Sequence, residues 1–157
     1  MINEQYGKSE YGAVTDMHIN KLYGYLIDSS VLYLPSQQQL ISHRGYSCQL
    51  RNTMSELLFY LIQHSEKGVV TDDEIIINVW ERNDLSGTYN RLWQVMQNLN
   101  RNLSKLGIKS NLFVRVRGKG YYLVNDKITP LYTRTVKRNS AVNASEKNKT
   151  LRYRDVI

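Results

Sequence analysis

From Tyr23 to Leu50 the apolar residues come in short bursts: Tyr25-Leu26-Ile27, Val31 to Leu34, Leu40-Ile41, and Tyr46 to Leu50. Asp28-Ser29-Ser30, Pro35-Ser36 and Arg44-Gly45 interrupt them as turns interrupt a small antiparallel meander, which predicts three or four short strands. The period then changes. Met54, Leu57, Leu58, Leu61 and Ile62 recur at helical spacing behind Thr53-Met54-Ser55-Glu56, which reads as a capping box, and Lys67-Gly68 supplies a stop. The same box recurs at Thr71-Asp72-Asp73-Glu74 and opens a second helix with Ile75, Ile76, Val79 and Trp80 on its apolar face. The longest helical pattern, residues 88–106, carries a stripe of Leu92, Met96, Leu99, Leu103 and Leu106, with Gly107 placed to end it. A hairpin over residues 112–124 follows, its strands about 112–117 and 121–124. They join across Gly118-Lys119-Gly120, where glycine permits positive φ.

Strands, then helices, then a hairpin predict an α+β domain over residues 23–124. Residues 1–22 lack an apolar period and are expected to be a flexible leader. Residues 125–157, rich in Lys, Arg, Asn, Thr and Ser, are expected to be a basic, disordered tail.

Charge sharpens this picture. The 157 residues carry a formal net charge of +7, with eight Lys or Arg against three acids beyond residue 124 alone. From Leu85 to Asn125 there are seven Lys or Arg and no acid. Such asymmetry favours a polyanionic partner, nucleic acid or an anionic membrane face, over a merely solubilising surface. The lone Cys48 excludes an intrachain disulfide and a cysteine-rich metal site, and suits a reducing, cytoplasmic setting. His18, His43 and His64 have no partners at metal-ligand spacing. No apolar run reaches the length of a membrane span, and Met1 to Gln5 lacks the apolar core of a signal peptide. Gly118-Lys119-Gly120 lacks the Walker spacing, and no nucleophile-base arrangement is visible. No metal, cofactor or enzymatic activity is expected.

Opposite its leucine stripe the third helix presents Asn90, Arg91, Gln94, Gln97, Asn98, Arg101 and Lys105. Amide side chains donate and accept at once, matching the major-groove edge of adenine, while arginine matches guanine or phosphate. Taken alone, the face also fits an ordinary solvated helix surface. The hairpin tips the balance: Arg115, Arg117 and Lys119 lie on or beside its turn, with Arg115 and Arg117 on one face, suited to a narrow minor groove. The competing reading is an edge hairpin charged against aggregation. Trp93, just outside the stripe, has three open roles: packing against the hairpin, touching a partner, or lying on a DNA backbone.

This order of elements, together with Val116-Arg117-Gly118-Lys119-Gly120-Tyr121-Tyr122-Leu123 and with Val79-Trp80 closing the second helix, resembles the winged helix-turn-helix domain of the OmpR/PhoB family. The resemblance covers about residues 23–124, and Arg117 to Tyr121 matches the family's most specific signature. It implies an N-terminal antiparallel sheet, three helices and a C-terminal β-hairpin wing. It further implies a sequence-specific regulator of transcription, an activator, with helix 88–106 in the major groove and wing 112–124 in the minor groove of double-stranded promoter DNA. Trp80 and Arg91 would touch phosphates and Arg117 the minor groove. The loop from Glu81 to Gly87, with Arg82, Asn83 and Asp84, would lie where relatives contact RNA polymerase, and two copies would pair on direct repeats.

No receiver domain fits ahead of residue 23, so the layout is nearer the ToxR/CadC-like regulators. Many of these continue into a membrane helix; here tethering would need the native chain to run past Ile157, and otherwise a nucleoid-associated protein is expected. Where the family commonly carries Arg or Lys on the recognition helix, this chain has Gln97, Asn98 and Asn100. That departure points to an A·T-rich site and keeps a rival open: a winged-helix module that has lost DNA reading and binds a regulator or polymerase subunit through Tyr89, Trp93 and the 81–87 loop.

Overall fold

The computed structural model describes residues 18–109 and 111–136. In chain order its elements are β1 (His18–Ile27), β2 (Val31–Leu34), β3 (Gln39–Ser42), β4 (Ser47–Gln49), α1 (Asn52–Gln63), β5 (Val69–Thr71), α2 (Asp72–Ile75), α3 (Tyr89–Lys105), β6 (Phe113–Val116), β7 (Gly120–Leu123) and β8 (Ile128–Val136). Two sheets form, ordered β4-β3-β2-β1-β8 and β5-β7-β6. The layout is α+β, as the sequence pattern predicts.

Register explains which way the first sheet faces. Tyr25 pairs with Tyr33 and Tyr33 with Leu40, so period 2 puts all three on one face, and all three are buried. That face covers the stripes of α1, Met54, Leu57, Leu58, Leu61 and Ile62, and of α3, Leu92, Met96, Leu99 and Leu103, in one core. The Tyr33 hydroxyl donates to the Ser55 carbonyl at 2.8 Å and lies 2.8 Å from Ser55 Oγ, so the only polar group of the ring is satisfied inside. Burial pushes the Tyr33 phenol up to about 12.

Of the two expected capping boxes, one forms. Thr71 Oγ1 accepts from the Glu74 amide at 3.2 Å, and the Thr71 amide donates to Glu74 Oε2 at 2.9 Å. The Thr53 box does not form, because α1 starts at Asn52 with Arg51 as its uncapped N-cap, which puts Thr53 inside the first turn. Glu56 is occupied otherwise, accepting from Asn52 Nδ2 and Asn83 Nδ2, each at 2.9 Å.

The bonds from Thr71 hold the Glu74 carboxyl below its ordinary value of 4.5. A carboxylate depressed in the folded state stabilises above its ordinary value, and that contribution is lost as pH falls through the lowered one. Glu74→Gln keeps an acceptor but cannot titrate. Its melting temperature is therefore expected to fall less than the parent's on acidification below about pH 4.5. Parallel melting curves for the two proteins would refute the assignment.

α2 runs on as a π turn, Ile76–Trp80, and a 3-10 turn, Glu81–Asn83. The chain then passes close over the π turn at Gly87, where an added Cβ would lie 2.5 Å from Ile76 Cγ2. Thr88 caps α3, its hydroxyl accepting from the Arg91 amide at 3.1 Å, and Gly107 follows at φ +104°. In the wing only Gly118 of the two turn glycines has positive φ, +70°. Gly120 serves close approach instead: a Cβ there would sit 1.9 Å from the Val70 carbonyl oxygen of β5.

The expected chain ends are corrected on both sides. β1 begins at His18, so residues 18–22 are strand rather than leader; residues 1–17 lie outside the described ones. Residues 125–136 form a 3-10 turn and β8 rather than tail, and residues 137–157 lie outside the described ones. Thr129, Tyr132, Thr133 and Val136 favour an extended backbone, and Pro130 is tolerated because β8 is an edge strand. The compact unit runs from Leu22 to Tyr132; the outer ends of β1 and β8 belong to a second unit, in which the Thr133 hydroxyl donates to the Lys21 carbonyl at 3.3 Å.

Candidate nucleic-acid interface

α3 has its leucine stripe inside and its amide face outside. Asn90, Arg91, Gln94, Gln97, Asn98, Arg101 and Lys105 are all exposed. At 100° per residue, Asn90, Gln94, Gln97 and Arg101 lie at the centre of that face, Arg91, Asn98 and Lys105 along one flank, and Trp93 on the other. Gln94 and Gln97 make no hydrogen bond to protein, so both ends of each amide are free. Asn98 Oδ1 accepts from Arg101 Nη1 at 3.1 Å, and Arg91 Nη1 donates to the Ser86 carbonyl at 2.6 Å, tying the 84–88 loop to the helix.

The Arg91 flank borders a shallow hollow between α3 and the β4–α1 junction, with Arg51, Arg91, Arg101 and Lys105 on its walls and no acid among its lining residues. Gln49, Arg51 and Thr53 join the surface here, and sequence reasoning missed them. Arg51 sits between a strand end and a helix start, where no periodicity tells which way a side chain points. Trp80, placed at a phosphate by resemblance and on the apolar face of its helix by spacing, is a core residue at 2 % exposure. Its ring belongs to the buried stripe of the second helix, and only the part that lines the hollow remains accessible.

On the other flank Tyr89 and Trp93 are 62 % and 55 % exposed and, with Leu92, Asp72, Arg115 and Tyr121, line a second hollow beside the hairpin. Trp93 thus stands beside the hairpin with much of its ring open to solvent. Arg115, expected at the DNA, is engaged within the protein. Both its terminal nitrogens reach Asp72, at 2.5 Å and 2.7 Å, and its guanidinium lies 4.7 Å over the Tyr121 ring. The hydrogen bonds with Asp72 raise its pKa above the usual arginine value. β6 ends at Val116, so Arg117 belongs to the turn rather than to the strand that carries Arg115. Arg117 and Lys119 stand exposed in that turn with no acidic partner. In the loop after α2, Arg82 and Asp84 are exposed, Asp84 at φ +56°, while Asn83 Nδ2 donates to Glu56 Oε2 and to the Val79 carbonyl.

No group of His, Cys, Asp and Glu among the described residues could hold a metal, and no described helix is long and apolar enough to cross a membrane. An exposed helix face of amides and cations, a cation-lined hollow and a charged turn can bind an extended anion and read the edges of bases.

Comparison with known proteins agrees with that chemistry. No curated protein sequence matches the chain significantly. Among solved structures the DNA-binding domain of E. coli CadC is 26% identical with a TM-score of 0.56, the match covering 67% of this chain and 94% of that one. The DNA-binding domain of CpxR from E. coli shares the fold at 24% identity and a TM-score of 0.50, over 62% of this chain and 91% of that one. The family model described as "Transcriptional regulatory protein, C terminal" matches residues 45–123, from the β4 turn through the end of the wing. The chain belongs to this family of OmpR/PhoB-type winged helix DNA-binding domains, and is a DNA-binding regulator of transcription.

Proposed function

We propose that the domain activates transcription by reading an A·T-rich promoter duplex, with α3 in the major groove and the Arg117–Lys119 turn in the adjacent minor groove. The observation that carries this is the α3 face, solvent-exposed, free of acids and holding two unpartnered glutamines at its centre. Asn90, Gln94, Gln97 and Arg101 read base edges; Arg91, Asn98 and Lys105, with Arg51 across the hollow, meet phosphates. Trp80 contributes only its edge. Arg82, Asn83 and Asp84 present a polar loop to RNA polymerase, two copies sit on direct repeats, and the protein works in the cytoplasm at the nucleoid.

Selection of bound duplexes from a random pool tests the reading. The unaltered chain is expected to enrich a repeated A·T-rich motif, and Arg117→Ala to lose preference in the flanks while circular dichroism stays unchanged, since Arg117 is exposed and unpartnered. Identical enrichment for both proteins would remove Arg117 from the interface.

The exposure of Tyr89 and Trp93 favours a second reading, a module that binds a regulator or polymerase subunit through this aromatic flank. Retention by such a subunit, with no enrichment of any duplex, would establish it in place of the first.

A further inference from the structure

The acids that open α2 do more than cap it. Asp72 holds both oxygens of its carboxylate to the two terminal nitrogens of Arg115, and its amide donates to the Lys119 carbonyl at 3.1 Å. One residue therefore grips β6 and the wing turn together. Its neighbour Asp73 accepts at Oδ1 from the hydroxyl of Tyr89, the first residue of α3, at 2.5 Å. Both elements assigned to the DNA are thus tied to consecutive residues of one helical turn, itself fixed by the Thr71–Glu74 box.

We propose that Asp72 and Arg115 form a clasp that sets the wing's angle to α3, so that Arg115 decides where the turn falls on DNA without touching the DNA itself. This rests on the DNA-binding reading above.

Two arguments separate a clasp from a phosphate contact. The first is electrostatic: a guanidinium bound by both oxygens of a carboxylate presents little net charge to a polyanion, whereas Arg117 and Lys119, two and four residues on, have no acid beside them. The second concerns magnitude. The Arg115 side chain is 46% exposed and that of Asp72 13%, and an ion pair left open to water on one side adds little to stability. Removing the pair should leave the domain folded and change direction more than strength, because the fork and the Tyr121 ring below it fix orientation in a way that a lone charge cannot. Arg115 is on this account a positioning residue.

The test uses the full chain and a duplex that the unaltered protein selects. Asp72→Asn and Arg115→Gln are each expected to weaken binding about fivefold, with a double variant no worse than either alone, as residues acting through one interaction behave. Arg115→Lys, which keeps the charge and loses the fork, should resemble Arg115→Gln. All three should alter base preference in the flanks, keep it at the centre, and leave the salt dependence of affinity as it was.

Tighter binding by Asp72→Asn would show that Arg115, once freed, reaches phosphate, and would overturn the proposal. So would a salt slope shallower by about 0.9 in Arg115→Gln, the signature of one lost phosphate contact. An equal loss on every duplex with flank preference intact would also overturn it, as damage to the fold alone acts that way. These outcomes all require the unaltered chain to bind duplex; if it binds none, the DNA reading fails first and the clasp's role in recognition falls with it.

Discussion

Gly120→Ala is expected to release the wing from β5 and to destabilise the domain by about 3 kcal/mol or more. The new Cβ would lie 1.9 Å from the Val70 carbonyl oxygen and 2.7 Å from Val70 C and Thr71 Cα, all backbone atoms of β5 that no rotamer change can move. Pairing of Thr71 with Gly120 and of Val70 with Tyr121 holds the hairpin to the strand that leads straight into α2, so the overlap falls on the joint between wing and helices. Gly118→Ala makes the contrast. It meets nothing within 4 Å and bears only the strain of φ +70°, about 1 kcal/mol. Denaturant melts of the two variants measure both numbers. A Gly120→Ala protein as stable as its parent would mean that β5 and β7 do not approach as described.

The second large effect concerns base reading. Gln97→Ala and Gln94→Ala are each expected to relax preference at one base pair by about 1 to 3 kcal/mol, roughly five- to 150-fold in relative affinity, if each amide makes a bidentate pair with adenine. Asn98→Ala should cost less at the bases. Asn98 lies on the flank, and its oxygen is engaged by Arg101, so its removal mainly frees an arginine. Competition among duplexes that differ by single base pairs gives the answer directly. Equal affinity ratios for parent and both glutamine variants, at every position, would take the centre of α3 out of the groove.

What could be read from the sequence was what neighbouring residues decide. The Thr71 box and the stripe of α3 lie within a few positions of their partners, and the structure has them where the pattern puts them. Other features depend on residues far apart in the chain or on a single position. Arg115 looked free because Asp72 lies 43 residues away. Trp80 sits on the buried stripe where helical spacing puts it, but spacing does not say how much of its edge stays open to the hollow. The Thr53 box was a local error of one position: Asn52 begins α1, and its amide takes Glu56 instead. β8 escaped notice because Pro130 and a polar composition argue against a central strand, and only pairing with β1 at an edge makes them acceptable.

The central claim is that α3, the hollow beside it and the wing turn form one polyanion-reading surface. Its most direct test is the dissociation constant for a selected duplex measured across salt concentrations. Six cations stand at the proposed contacts: Arg51, Arg91, Arg101, Lys105, Arg117 and Lys119. Release of their counterions gives an expected slope of about −5 in log affinity against log salt, a loss of about a thousandfold from 50 to 200 mM. A slope near zero over the same range, or no duplex binding at the lowest salt, would contradict it.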